Sequence, residues 1–382
     1  MPNADPLRVV PVEGRRAMAA FIDLPRRLYR GRQGFVPPLA LERRMSLDPK
    51  KAAFFEHATA QYFLAYRGDR PVGRISAQID RLHLEAHDPE GGQFGLIEAT
   101  DDPAVFAALL DAAEGWLRER GMRRASGPFS LSINEECGLL VDGFDEKAML
   151  LQGWSPPYAA ARIEERGYAG VKDLIGYIYD PASAPPIDAR RLLERTGASD
   201  RVTVRKADLK SYADEIRILV GLFNEAWADN WGFLPFTEKE LKQLADGLRP
   251  LVQDDLVWIA SMGGEPACMV VALPDLNEAI ADLDGRLLPI GWAKLLWRLK
   301  VKGLRQARVP LMGLARRHHR TVLGSALLIL VLESLRQALQ KRGYTSVELS
   351  WILEDNGAMN TLARSIGARP YKTWRLFQKE LA

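Results

Sequence analysis

The chain has 382 residues, 47% of them hydrophobic and 26% charged, with a formal net charge of +3. Such a length suits about two domains with real cores, and the composition excludes a disordered chain. So small a net charge implies no polyanionic partner over the whole surface, and no recognition-helix motif points to nucleic acid.

The elements alternate in two similar series. In the first half, RVVPVE reads as a strand, followed by helical segments through Arg44. QYFLAYRGDRPVGRISAQID alternates apolar and polar residues around a Gly-Asp turn, which predicts a hairpin. FGLIEAT is a further strand. The next segment, DDPAVFAALLDAAEGWLRERG, is a helix with an Asp cap, Pro103 at its start and Gly121 past its end. RRASGPFS is a short strand, AARIEERG ends a helix, and YAGVKDLIGYIYD reads as a closing strand pair. A Pro-, Ala- and Ser-rich stretch at 181–200 then marks a linker. In the second half, RVTVRKA is a strand, and SYADEIRILVGLFNEAWADN and FTEKELKQLADGLRPLV are helices. LVWIASMGGEPACMVVALPD is a hairpin turning at its glycine pair, and VPLMGLA is a strand. TVLGSALLILVLESLRQALQKRG is a long helix ended by Gly343. SVELSWIL, NGAMNTLARSIG and ARPYKTWRLFQKEL follow as strand, helix and strand. The expected division is 1–185, a linker at 186–200, and 201–382. The expected fold class is α/β (mixed α+β), two tandem domains that are each a twisted mixed sheet flanked by helices.

Cys137 and Cys268 lie far apart and form no CxxC pair, so neither a disulfide framework nor a zinc site is expected. MPNADPLRVVPVEG lacks the apolar core of a signal peptide. The longest apolar run, VLGSALLILVL, is far shorter than the roughly 20 residues a spanning helix needs. The expectation is a cytoplasmic protein without a metal.

The element order resembles the GNAT superfamily of N-acyltransferases. That family holds the pyrophosphate of coenzyme A on a Q/R-x-x-G-x-G/A loop that opens a helix, where unpaired N–H groups and the dipole suit phosphate. The matching stretch is HRTVLGSA, with Gly324, Ser325 and Ala326 present, but His319 and Val322 in place of Gln or Arg and the first Gly. Arg316, Arg317 and Arg320 surround it. EDNGAMNTLARSIGA supplies Asn356, Met359, Leu362 and Gly367 at the family spacing, while Ala363 stands where many members have a general-acid Tyr. The resemblance thus implies an acyl thioester site on Leu314, Arg316, Arg320, Gly324, Ser325, Ala326, Asn356 and Asn360, in the second half only. In the first half TDDPAVF would set two acids against a pyrophosphate. A narrower resemblance runs through FIDLPRRLYRG, FFEHA, VGRISAQID, GPFSLSINEECGLLVDGF, FNEAWADNWGF, LPDLNEA and GWAKLL. These are similar to two-domain bacterial proteins that include the bacterial ceramide synthases. That implies transfer of a fatty acyl group from acyl-CoA, or an acyl carrier protein thioester, to the lipophilic amine of a sphingoid base. An acetyltransferase for a small amine or peptide, and a silent ligand-binding GNAT pair, stay open.

Acyl transfer to an amine needs a proton acceptor and oxyanion donors but no covalent nucleophile. The strand ARVPLMGLA carries no acid, so the acceptor is expected elsewhere. SINEECG offers Asn134 and Glu135, LPDLNEA offers Asp275 and Asn277, and His319 could shuttle protons. Turn capping is the competing reading for the Asp and Asn residues.

Residues 286–332 hold ten Lys or Arg, two His and no Asp or Glu. Within them LPIGWAKLLWRLKVKGLRQARV, 288–309, puts two Trp among six cations. As a helix it aligns Trp292, Leu295, Leu296 and Leu299. This pattern suits an anionic membrane surface, peripheral contact on the inner membrane, or a helix packed on its own domain.

Overall fold

The computed structural model describes residues 5–184, 186 and 188–382. Two compact units emerge. One comprises the residues up to Leu174 with Ile280–Leu295 and Lys372–Ala382; the other comprises Ile175–Ala279 and Leu296–Tyr371. Sequence order alone drew a linear division, of which positions 185 and 187 lie outside the described residues. The units instead interleave along the chain. The tail goes with the first unit because Phe377–Glu380 ladder antiparallel onto Arg124–Gly127, and Phe377 is buried in that unit's core.

In the first unit Leu7–Pro11, Ala58–Arg67, Arg70–Asp80 and Gly91–Ala99 pair antiparallel in that order, and Gly91–Ala99 pairs parallel with Arg124–Gly127. The hairpin turns at Gly68 and Asp69, as expected, with Arg67 opposite Arg70. Successive side chains of a strand point to opposite faces. Tyr62 and Leu64 therefore join a cluster with Phe21, Ile22 and Leu24 of the helix Gly14–Leu28, while Phe63 and Ala65 join Val105, Phe106 and Leu109 of the helix Pro103–Arg118. Each face of the sheet is thus covered by a helix.

The second unit orders its strands Val202–Lys206, Val257–Met262, Glu265–Pro274, Gln306–Leu314 and Ser346–Leu353. The first four are antiparallel and the last pair is parallel. The hairpin turns at Gly263 and Gly264, both at positive φ. Val322–Lys341 is the core helix, with Ala326, Leu327, Val331, Leu332, Leu335 and Leu339 buried. By length and composition alone it is long and apolar enough to cross a bilayer, an 18-residue window having a mean hydropathy of 1.6, but 44% of that window is buried inside the protein, as in a core helix. YAGVKDLIGYIYD is one strand, Ala169–Tyr179, and not the expected pair. It contains no turn sequence, and Gly176 is accommodated within the extended chain. Leu139–Asp142 is a further strand, too short for alternation to announce, held on the last strand through Leu139↔Arg375 and Leu140↔Trp374.

Candidate active site

The parallel ladder of the second unit runs from Gln306↔Ser346 to Val309↔Leu349, and among the described residues it goes no further, although both strands continue. Pro310 comes next. It has no N–H to donate, so the ladder cannot extend through it. Beyond Val309↔Leu349 the strand ends Pro310–Leu314 and Ser350–Leu353 are no longer laddered to each other.

The first of these ends leads to the helix Val322–Lys341. Thr321 caps it: Oγ1 accepts from the Gly324 N–H at 2.9 Å and donates to the His318 carbonyl at 2.8 Å. A Cβ at Gly324 would overlap that same carbonyl and lie 2.9 Å from Leu314 Cδ2, so only glycine fits. Leu314 and Ala326 are buried and pack at this turn, whereas Ser325 is exposed and its hydroxyl donates to the Thr321 carbonyl. The surrounding cations are not all available. Arg316 pairs with Asp229 and its N–H donates to Glu225, while Arg317 donates to the Pro266 carbonyl and approaches Glu225 and Glu265. Arg320 is exposed at φ 58°. Burial, then the neighbouring Arg317, holds the His318 imidazole below its ordinary value. His319 is exposed and sits 2.8 Å from the Leu314 carbonyl through Nε2.

Behind the second strand end, Asn356 caps the helix Gly357–Ser365 by accepting the Met359 N–H at 3.1 Å. Asn360 is buried. Its amide donates to the carbonyls of Leu353, Glu354 and Asn356, and its oxygen accepts the Tyr177 hydroxyl at 2.8 Å. Asn360 thus shapes the turn from inside, and Ala363 is buried beside it.

The carboxylate candidates sit apart. Asp275 is 1% exposed and accepts the N–H groups of Asn277 and Glu278 at 3.1 and 3.2 Å, capping the helix Leu276–Ile280. Asn277 thereby serves Asp275 through its backbone. Asn134 and Glu135 belong to the first unit, in a turn closed on Ser132. Next to them Glu136 pairs with the half-buried Arg43. Burial, reinforced by the charges of Glu135 and Asp48, pushes the Tyr62 phenol up.

A more deeply buried carboxylate escaped the sequence reading. Glu348 is 0% exposed in mid-strand and accepts the hydroxyls of Ser350 and Tyr371. Arg308, its ladder partner, lies 3.7 Å away, donates to Ser350 Oγ at 2.9 Å, and stacks 4.6 Å from the Trp351 ring centre. This network adjoins Val309↔Leu349, where pairing stops. One signal was available: an acid within the apolar strand SVELSWIL is costly to bury unless paired. Among the described residues no group of three or more His, Cys, Asp or Glu could hold a metal.

No family model matches the chain. Its sequence is 48% identical over 380 residues to a protein of Caulobacter vibrioides named bacterial ceramide synthase, covering 99% of this chain and 98% of that one. The chain belongs to the bacterial ceramide synthase family. It is an N-acyltransferase. A protein of Escherichia coli named YghO is 43% identical over 95% of the chain and 93% of its own length. The fold is that of tandem GNAT proteins. One, from the clavulanic acid biosynthesis pathway, superposes with a TM-score of 0.58 at 13% identity, covering 99% of both chains. A GCN5-related N-acetyltransferase from Sphaerobacter thermophilus gives 0.55 at 15% identity, covering 98% of this chain and 96% of that one.

In this ceramide synthase family member the first unit fills its own equivalent split. Its parallel ladder ends at Gln93↔Ser126, and the chain then returns through Phe129, whose N–H donates to the Phe94 carbonyl at 2.9 Å. Gly95 admits this close approach, since a Cβ there would overlap the Phe129 carbonyl. Gln78 donates to the carbonyls of Phe129 and Leu131 at 3.0 and 3.4 Å and pins the loop. At the helix above, Asp102 accepts the Ala104 N–H at 2.9 Å and pairs with Arg67. A carboxylate therefore stands where a phosphate would have to bind.

Proposed function

We propose that the chain moves a long-chain acyl group from an acyl thioester, on coenzyme A or acyl carrier protein, to the amine of a sphingoid base. The observation that carries this is the ladder ending at Val309↔Leu349, with a glycine-bearing helix start beyond one strand and an Asn-capped helix beyond the other. The name of the Caulobacter relative supports the choice of a sphingoid amine. In this reading Leu314, Gly324, Ser325, Ala326 and Arg320 take the thioester carrier at the helix start. Asn356 and Asn360 hold the opposite rim, and Arg316 contributes backbone and field more than a free guanidinium. The reading carries a cytoplasmic location.

The chemistry is direct. The neutral amine attacks the thioester carbonyl, a C–N bond forms, and the C–S bond breaks to release the thiolate. In this reading a backbone N–H of the strand beyond Pro310 donates to the tetrahedral oxyanion. The nitrogen loses a proton, and the thiolate takes one up. We assign the proton's exit to Tyr371, partly exposed, which passes it to Glu348. Asp275 and Glu135 are the competing acceptors, although the Asp275 carboxylate is already occupied in its cap.

The test is purified protein with sphinganine and a long-chain acyl group offered separately on coenzyme A and on acyl carrier protein, with product read by mass. N-acylsphinganine from either donor is expected. Turnover only with acetyl-CoA and a small polar amine would favour an acetyltransferase, and none with any pair would favour a silent ligand-binding protein. Tyr371→Phe should lower turnover by about 10²–10⁴-fold. If Asp275→Asn or Glu135→Gln does so instead, in a folded protein, the relay assignment is wrong.

A further inference from the structure

Of the eleven large hydrophobic side chains that are exposed among the described residues, six fall within the 14 residues from Leu288 to Val301. They are Leu288, Ile290, Trp292, Leu296, Trp297 and Val301, and their exposure runs from 52% at Leu296 to 80% at Leu288. The expected stripe of Trp292, Leu295, Leu296 and Leu299 is thus not a packing face. Trp292 and Leu296 point to solvent, and only Leu295 and Leu299 are half-buried. The segment is nonetheless ordered. Gly291–Trp297 is a helix that widens into a π turn over Arg298–Lys302, Arg298 donates to the Ala279 carbonyl at 2.6 Å, and buried Leu304 fastens its end.

We propose that this segment docks the protein on an anionic lipid surface. Exposed apolar clusters of this kind mark an interaction site, and the charge beside this one selects the partner. Lys294, Lys300, Lys302 and Arg305 are exposed, and residues 286–332 contain no acid. Lys294 lies 3.5 Å from Asp282, a surface contact that water weakens. A short helix with Trp and Leu interleaved with cations lies in the plane of the headgroups, its rings at their level and its lysines on the phosphates. Trp292 Nε1 already donates to the Pro289 carbonyl at 3.0 Å, so the ring can leave water without stranding a donor. The inference rests on exposure and charge and not on the acyl-transfer reading.

The experiment is co-sedimentation with vesicles of phosphatidylcholine alone and of phosphatidylcholine with about 30% phosphatidylglycerol. The parent should bind the anionic vesicles on the order of tenfold more tightly at about 50 mM salt than at about 500 mM, and more tightly than the neutral ones. Its Trp emission should shift to the blue on binding. Trp292→Ala with Trp297→Ala should weaken binding on the order of tenfold at both salt concentrations. Lys294→Gln with Lys300→Gln and Lys302→Gln should remove most of the salt dependence, and this variant carries the test alone if the Trp pair disturbs folding. No vesicle binding by the parent, or equal binding by parent and folded variants, overturns the proposal. So does a dimer in light scattering that the Trp variant dissolves, which would assign the face to a second copy. Enzymatic turnover is not a readout, so failure here and failure of the proposed reaction are separable.

Discussion

Replacing Glu348 by Gln should destabilise the second unit well beyond the loss of a hydrogen bond. Arg308 is 3% exposed and Glu348 0% exposed, with 3.7 Å between them. Breaking a buried ion pair from one side leaves the other charge uncompensated, at a typical cost of about 3–5 kcal/mol. Here Arg308 keeps Ser350 Oγ, the Ser350 carbonyl at 3.3 Å and the Trp351 ring, which offset part of that loss. A Gln amide also sets an N–H₂ donor where the carboxylate accepted a hydroxyl. The expected loss is therefore at the lower end, about 3 kcal/mol. At roughly 2–4 °C per kcal/mol this lowers Tm by about 6–12 °C. Arg308→Met should cost a similar amount. The double replacement Glu348→Leu, Arg308→Met should cost less than the sum by about 2 kcal/mol or more, because no lone charge then remains. Urea unfolding of parent, singles and double closes the cycle. Additive singles, or a Glu348→Gln loss below about 1 kcal/mol, would mean that the pair behaves as a solvated one and that its burial has been misjudged.

Gly324→Val should lose measurable affinity for coenzyme A in calorimetry while the chain stays folded, because the new side chain meets the His318 carbonyl and Leu314 in the turn that presents the helix N-terminus; unchanged affinity would move the carrier elsewhere. Asp88 tests the pH response. Arg124 holds its carboxyl below the usual 3.8 against the opposing effect of burial, with help from the Glu90 N–H. A depressed carboxyl contributes stability above its unfolded value that is lost as pH falls through the folded one. The stability gap between parent and Asp88→Asn should therefore be present at neutral pH and close below pH 3.8. A gap that persists unchanged into that acid range would show that the ion pair is not its source.

The order of elements was legible because its signals are local. Apolar alternation marked the hairpins at Gly68–Asp69 and Gly263–Gly264, Asp102 with Pro103 marked one helix start, and Gly343 and Gly367 marked helix ends. The spacing of Gly324 and Asn356 likewise named the superfamily, since a helix N-terminus and its cap are built within a few residues. Side-chain function at those positions was less legible. Asn360 looked like a carrier contact, and tertiary packing spends its amide on three carbonyls and Tyr177. Asp275 stood as a candidate proton acceptor against turn capping, and its carboxylate caps a helix too short for periodicity to announce. What only the tertiary structure decided was long-range pairing. Glu348 meets Arg308 on the adjacent strand and Tyr371 on the strand Arg369–Glu380, and nothing near it in sequence foretells either partner. Phe377–Glu380 crosses to the first unit because its strand partners are Arg124–Gly127. Composition placed Trp292 and Leu296 among cations, but which side of the helix faces protein depends on what packs beneath it, and there Arg298 and Leu304 hold the segment down while the tryptophans remain in water.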